Sequence, residues 1–288
     1  MLTTADVTTN QTAADYALGY TDAEQERLML QATLIAPHTE RQFREAGIGV
    51  GHRVLDLGSG MGDVSMLVAG LVGASGEVVG IERDATSIER AQARVAAAGL
   101  RNVSFLNTDV NKISIDRPFD AAVGRFILMF LPDPVSVLQS VVRLVRPGGV
   151  VAFQEPSWAP MLALGAGLPL WSRTRHLIHE ILLRSGVNRE MGLALYRVFQ
   201  EAGLPAPKMH LEMPLGNDAD FIRLTSDLLC SLRPLAEQHK VSLQELGDLE
   251  TLPDRICAEV ATANTVVSLI AVVGAWSRKP ADGRGSAE

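Results

Sequence analysis

Arg53-Val54-Leu55-Asp56-Leu57-Gly58-Ser59-Gly60-Met61-Gly62-Asp63 is the stretch on which the reading of this chain turns. Val54, Leu55 and Leu57 are the apolar residues of a short buried strand. Glycines follow at alternate positions, 58, 60 and 62. A helical pattern then starts at once, carrying Val64, Met66, Leu67, Leu71 and Val72. Strand, glycine turn and helix make the first half of a βαβ unit. Glycine serves the turn twice: it adopts φ > 0, and its missing Cβ lets a ligand approach the backbone. The helix start adds unpaired N–H groups. Glu77-Val78-Val79-Gly80-Ile81 reads as the next strand and ends in Glu82, twenty residues after Gly62. An acidic residue at that distance lies at a strand tip and can accept both ribose hydroxyls of a nucleoside.

The glycine spacing separates ligands. A dinucleotide fingerprint needs Gly-x-Gly-x-x-Gly, whereas here the third glycine comes one place early and Asp63 takes the fingerprint position. That spacing disfavours a nicotinamide dehydrogenase. No Lys or Arg lies between Leu57 and Glu82 to neutralise a pyrophosphate. The acidic Asp56 and Asp63 suit a cationic, phosphate-free ligand, such as a sulfonium with an ammonium group.

Val54-Leu55-Asp56-Leu57-Gly58-Ser59-Gly60-Met61-Gly62 resembles the first motif of class I S-adenosylmethionine-dependent methyltransferases. Glu82 matches the acidic residue ending their second strand. Thr108-Asp109-Val110 is similar to the segment that meets adenine. Phe119-Asp120-Ala121-Ala122-Val123-Gly124-Arg125 resembles their fourth strand, and Leu144-Val145-Arg146-Pro147-Gly148-Gly149 the turn before the fifth. The likeness runs over roughly residues 50 to 155, with the motifs in order. It implies S-adenosylmethionine as cofactor, in contact with Asp56, Gly58, Ser59, Gly60, Glu82, Arg83, Asp109, Val110 and Arg125. It also implies that a Tyr-x-Leu-Gly leader, here Tyr16 to Gly19, folds over the cofactor as a lid. Tyr16 and Tyr20 are then lid contacts, or simply packed amphipathic aromatics.

At 288 residues with 47% hydrophobic content, the chain suffices for one large domain. The net charge of −7 argues against a non-specific nucleic-acid binder. Cys230 and Cys257 form neither a disulfide framework nor a zinc spacing, and are expected as buried thiols. The Thr-rich N-terminus lacks a signal-peptide pattern, and the longest apolar stretch is too short to cross a bilayer. A cytosolic setting, a small-molecule partner, no nucleic acid or membrane, and a monomer or homodimer are expected.

The fold class is α/β: a Rossmann-like, doubly wound, mostly parallel seven-stranded sheet with helices on both faces. Strands fall near 53–57, 77–82, 103–107, 120–124 and 149–154, with helices near 62–72, 85–98 and 134–145. Asp84 is the N-cap and Gly99 the stop of the second of these helices. Residues 1–13 read as a lead-in, 14–49 as a helical lid, 50–155 as the cofactor core, 156–206 as a substrate cap, 207–279 as the rest of the sheet and 280–288 as a tail. Within the lid, Thr21 and Glu24 form a capping box that starts a helix at Asp22, and Pro37 ends or kinks it before a short second helix from His38 to Ala46. Arg27 and Gln31 lie one turn apart, facing either the cofactor carboxylate or solvent. The apolar, aperiodic run from Pro156 to Trp171 is expected to wall a pocket. Thr265 to Ser277 reads as the closing strand.

Methyl transfer is an in-line displacement that needs positioning more than acid–base chemistry. Glu155, after the fifth strand, reads as a base or substrate anchor, or as a structural hydrogen bond. Arg125 binds a carboxylate or pairs with a nearby acid. His176 is a candidate base, or helix packing; with His179 it fails the His-Glu-x-x-His pattern, and no metal is expected. The fourth strand lacks both the Asn/Asp-Pro-Pro-aromatic signature of nucleic-acid and protein amide enzymes and the acid of metal-dependent ones. With Trp158, Met161, Leu164, Leu168 and Trp171 in the cap, a small, largely apolar or aromatic acceptor is expected, methylated at O, N or C. The alternatives are a same-fold enzyme that uses the cofactor for cyclisation or isomerisation, and a non-catalytic regulatory module.

Overall fold

The computed structural model describes residues 22–281, except 110–111, 114–116 and 165–166. Tyr16, Tyr20, Thr21 and Val110 lie outside the described residues. Helix α1 (Asp22–Ala46) leads to β1 (Arg53–Leu57). Then follow α2 (Asp63–Val72), β2 (Glu77–Glu82), α3 (Ala85–Ala97), β3 (Val103–Asn107), β4 (Phe119–Arg125), α4 (Pro134–Leu144) and β5 (Val145–Ser157). The remainder is α5 (Ala159–Ala163), α6 (Pro169–Arg184), α7 (Met191–Glu201), β6 (Lys208–Glu212), β7 (Leu215–Gly216), α8 (Ala219–Ser231), α9 (Arg233–Gln238), α10 (Leu252–Thr262), β8 (Val267–Ser268) and β9 (Ala271–Arg278).

Seven strands form one sheet in the order β3-β2-β1-β4-β5-β9-β6. β1 to β5 run parallel, and β9 runs antiparallel to both β5 and β6. The inner strands are covered on both faces, which is why Val54, Leu55, Ala121, Ala122, Val151 and Ala152 are all buried. The chain winds outward from β1 to β3, then returns to β4 and winds the other way. The carboxyl ends of β1 and β4 therefore border the crevice in which ligands of such sheets bind. Asp84 caps α3 as expected, accepting from Ser87 N at 2.6 Å. Gly99, with φ 67°, terminates it.

Four expectations need correction. Pro37 lies inside α1, which is one helix of 25 residues; the short second helix is its continuation. An interior proline costs about 3 kcal/mol. Burial of Ile35 and Phe43 on either side returns about 1.5–3 kcal/mol each. The far half of the helix is also pinned to the sheet, by Thr39 Oγ1 donating to Gln154 Oε1 at 2.7 Å and Gln42 Nε2 to the Phe153 carbonyl at 3.1 Å. The closing strand is interrupted at Leu269 and Ile270. β8 pairs with β7 in a separate ribbon, anchored by Leu269 N donating to the Pro214 carbonyl, before β9 joins the main sheet. The apolar run beginning at Pro156 is not irregular throughout: it finishes β5 and forms α5, with Trp158 and Met161 in the core, while Leu164, Leu168 and Trp171 do line a cavity. Cys230 is exposed and Cys257 half-buried, because Ser226 and Leu229 on α8 and Ile256 on α10 take the inward positions.

Candidate functional site

The glycine loop has the conformation its composition calls for. Gly58, Gly60 and Gly62 all have positive φ, at 66°, 50° and 83°. A Cβ on Gly58 would stand 2.7 Å from the Ile127 side chain, whereas one on Gly60 would meet nothing within 4 Å. Gly58 is thus needed for packing, and Gly60 leaves the upper face of the loop open to a ligand. Gly58→Ala is expected to lower the thermal midpoint more than Gly60→Ala. Both incur about 1–2 kcal/mol of left-handed backbone strain, but the first adds about 1–3 kcal/mol of overpacking. Thermal unfolding of the two variants checks this ranking.

The loop is tied to the tip of β2. Gly60 N donates to Glu82 Oε2 at 3.0 Å, and Glu82 Oε1 accepts from Arg83 N at 2.7 Å and Asp84 N at 3.1 Å. A carboxylate offers about four acceptor sites. Glu82 can therefore take one further hydroxyl as it stands, and a second if Gly60 N releases its bond. Ser59 donates its N–H to the Ile81 carbonyl and accepts from Gly62 N; its hydroxyl is buried against Gly80. It shapes the loop and does not face outward. Arg83 is exposed. Asn107 Nδ2, at the end of β3, reaches the Arg83 carbonyl at 2.9 Å, and Thr108 N the Glu82 carbonyl at 3.1 Å, so β3 steadies this tip. Asp109 follows directly, half-buried.

Beneath the loop, Asp56 is buried. Its Oδ2 accepts from Ser65 Oγ at 2.6 Å, and its Oδ1 has no hydrogen-bond partner among the described residues. Burial pushes this carboxyl up to about 7, against the opposing pull of Ser65 and Arg125. An orphaned buried oxygen below a glycine loop fits an ammonium or sulfonium ligand, which would supply the missing charge. The sequence argument placed Asp63 beside it as a second free acid. In the structure, Arg94 of α3 closes on Asp63 Oδ1 at 2.6 Å and on the Met61 carbonyl at 2.7 Å. That cation lies on α3, beyond the stretch from Leu57 to Glu82, and only folding brings it to the loop. The preference for a cationic ligand rests on Asp56.

Arg125 ends β4. Its Nη1 donates to Thr39 Oγ1 at 3.1 Å, joining α1 and β5 through the Thr39–Gln154 bond. Burial lowers its pKa. It is brought to the crevice rim, on the strand beside Asp56. Phe126 follows with φ 55°, an uncommon conformation for a bulky residue. Glu155 holds that turn in place. Its Oε1 accepts from Ile127 N and Leu128 N at 3.0 and 2.8 Å, and its Oε2 from Met129 N at 3.2 Å. The carboxyl is fully buried and pushed up to about 8 by desolvation, although the three backbone donors pull the other way. Its oxygens are committed to the turn whose Ile127 packs under Gly58. Of the two roles open to Glu155 in the sequence, the geometry gives it the structural one, and the expectation of a base is corrected.

Other expected residues do not join the crevice. His176 is exposed on α6, with Nδ1 against the Ser172 carbonyl of its own helix at 2.7 Å. Among the described residues its hydrogen bond is to its own helix and none joins it to the strand tips, so the geometry lends its role as a base no support. Arg27 is buried and bound to Glu24 at 2.6 Å and to Gln31 at 2.8 Å, so it does not face solvent. Phe126, Ile127, Asn107 and Arg94 were not found by sequence reasoning. Asn107, a side-chain amide at a strand end, carried the one local signal.

A family model described as a methyltransferase domain matches residues 48–203. The chain is 34% identical over 119 residues to the ubiquinone/menaquinone biosynthesis C-methyltransferase UbiE of Coxiella burnetii (strain Dugway 5J108-111), covering 40% of this chain and 48% of the relative. It is 36% identical over 107 residues to the aklanonic acid methyltransferase DauC of Streptomyces sp. (strain C5), covering 37% and 49%. The chain thus spans about half the length of the curated relatives it matches. Among solved structures, its fold is similar to that of the 4+2 cyclase SpnF, with TM-score 0.51 over 86% of this chain and 81% of that one at 19% identity. That likeness concerns the fold alone.

Proposed function

The chain belongs to the methyltransferase-domain family, whose cofactor is S-adenosylmethionine, and from that premise we propose that it methylates a small, largely apolar or aromatic metabolite. The observation that carries this reading is the glycine loop itself. It is open above Gly60, bound to Glu82 at its side, and underlain by the unpartnered Asp56 Oδ1. Such a donor and acceptor set suits an adenosyl group that brings ribose hydroxyls and a cationic amino-acid end.

Glu82 would hold the ribose, the backbone at Gly58 and Gly60 would let the cofactor approach, and Asp109 at the tip of β3 would border the adenine. Arg125, at the end of β4, would be the cation that meets a carboxylate. S-adenosylmethionine supplies a methyl group already activated for displacement. The chain's own task is to orient the acceptor, keep water out and hold the loop rigid. Glu155 contributes by fixing the turn after β4. No side chain at the crevice is required as a base unless the acceptor loses a proton. The names of the relatives, a quinone-pathway C-methyltransferase and an aklanonic acid methyltransferase, agree with a small organic acceptor.

Calorimetry with S-adenosylhomocysteine is the first test, and heat of binding to the folded protein is expected. Incubation with methyl-labelled cofactor and a panel of phenols, quinols and aromatic acids should then give a product heavier by one methylene. Product of unchanged mass would favour the same fold doing other chemistry. Absence of binding in folded protein would overturn the reading.

A further inference from the structure

Two arginines among the described residues are buried outright, Arg27 and Arg175. Arg27 is neutralised by Glu24. Arg175, on α6, is 0% exposed and has no carboxylate within ion-pair distance among the described residues. A guanidinium carries five N–H donors. Here Nη1 reaches Ser268 Oγ at 3.4 Å, Nη2 reaches the Leu164 carbonyl, and Nε has no acceptor among the described residues. The Trp171 ring, with its centroid 5.4 Å from the guanidinium carbon, gives partial compensation. Burial lowers the Arg175 pKa to about 10, which leaves it charged at neutral pH. A buried cation without a counter-ion is costly to fold around. A neutral amide would bridge Leu164 and Ser268 at lower cost, so structure alone does not account for an arginine.

The guanidinium lines a cavity of about 250 Å³. Trp171 and Ser268 form its buried interior, and the exposed apolar side chains of Leu164, Leu215 and Val266 ring its mouth. The cavity lies on the ligand-binding edge of the sheet. Ser268 ends β8, and Ala271, three residues on, pairs with Ser157 at the carboxyl end of β5. An anion entering here meets a cation that has already lost its water, so only the anion's own desolvation opposes binding.

We propose that this cavity seats the carboxylate of an apolar ring compound on Arg175. Resting on the function proposed above, the inference extends to the acceptor: the methylated metabolite is such an acid, held by its charged end in the cavity beyond β5. Arg175 is then a specificity-determining residue, placed there by α6 and by the ribbon of β7 and β8.

Calorimetry on the full chain with 2-naphthoate and its uncharged isostere 2-naphthamide tests the anchor. The acid is expected to bind about tenfold tighter or more. Arg175→Met should abolish that preference while leaving the amide's affinity and the thermal midpoint in place, and Arg175→Lys should restore part of it. Should Arg175→Met fail to fold, Val266→Glu at the exposed mouth serves instead: it should weaken the acid and spare the amide. Equal binding of acid and amide by the wild type, or an acid preference untouched in Arg175→Met or Val266→Glu, overturns the anchor. The same protein is titrated with S-adenosylhomocysteine. Heat from the nucleoside without an acid preference removes this inference alone. An acid preference without nucleoside heat leaves the anchor standing and removes the methyl-transfer reading.

Discussion

Glu155→Ala is expected to destabilise the fold by about 3–5 kcal/mol, measured by urea unfolding. Three backbone N–H groups, of Ile127, Leu128 and Met129, share that one carboxyl as acceptor. A buried donor left without a partner costs about 1–3 kcal/mol. Relief of the buried carboxylate's desolvation works the other way, and water entering the vacated space recovers part of the loss. Three donors outweigh one acceptor, so the net change remains a large loss. Glu155→Gln keeps the volume and one acceptor oxygen. It sets an amide N–H₂ against only one of the donors, so its cost should be lower, about 1–3 kcal/mol. The order wild type, Gln, Ala is the diagnostic. If Ala and Gln cost the same and little, the turn does not depend on this residue.

The same carboxyl sets a pH dependence. Glu155 and Asp56 are pushed up to about 8 and about 7, from ordinary values of 4.5 and 3.8. Below about pH 4 both groups are protonated in folded and unfolded chains alike. As pH rises, the unfolded chain ionises first, and stability falls until the folded carboxyls ionise too. The decline therefore spans about pH 4 to 8. Glu155→Gln should flatten it relative to wild type, while Ser65 remains on Asp56 and preserves the Asp56 share. Asp120 and Glu212 are shifted down by their arginine and histidine partners, so their contribution is lost only in more acidic solution.

The elements legible in the sequence are those whose causes lie within a few residues. The run from Arg53 to Glu82 has its strand, its positive-φ glycines and its acidic tip in one short window, and the parallel direction of β1 to β5 follows from repeated alternation. Asp84 announces α3 because an N-cap bonds three residues ahead. What escaped was long-range. Glu155 serves backbone groups 26 to 28 residues away, and Arg94 reaches back 31 to Asp63. Pro37 is a reliable local breaker, yet Thr39 and Gln42 bond a sheet over 100 residues distant and carry the helix through. Trp158 and Trp171 illustrate a different limit. Without a period, an apolar run does not distinguish a pocket wall from a core: both tryptophans are buried, and only Trp171 lines the cavity beside Arg175.

Glu82→Ala should weaken S-adenosylhomocysteine binding by about 2–4 kcal/mol, roughly thirty- to a thousandfold. Like Glu155, Glu82 accepts from three backbone N–H groups, yet the two substitutions should behave oppositely. Glu155 is sealed inside, so its donors have no substitute and the loss appears as stability. Glu82 stands at an open strand tip beside the exposed Arg83. Water can replace it there, so the fold should lose only about 1 kcal/mol or less. What water does not replace is a fixed charge held beside Gly60 to receive a ribose hydroxyl. Glu82→Gln, which keeps one oxygen but no charge, should lie between alanine and wild type in affinity and match wild type in stability. Calorimetry and thermal unfolding on the same three proteins separate the effects. An affinity unchanged within about twofold, in variants that fold normally, would show that the ribose is held elsewhere.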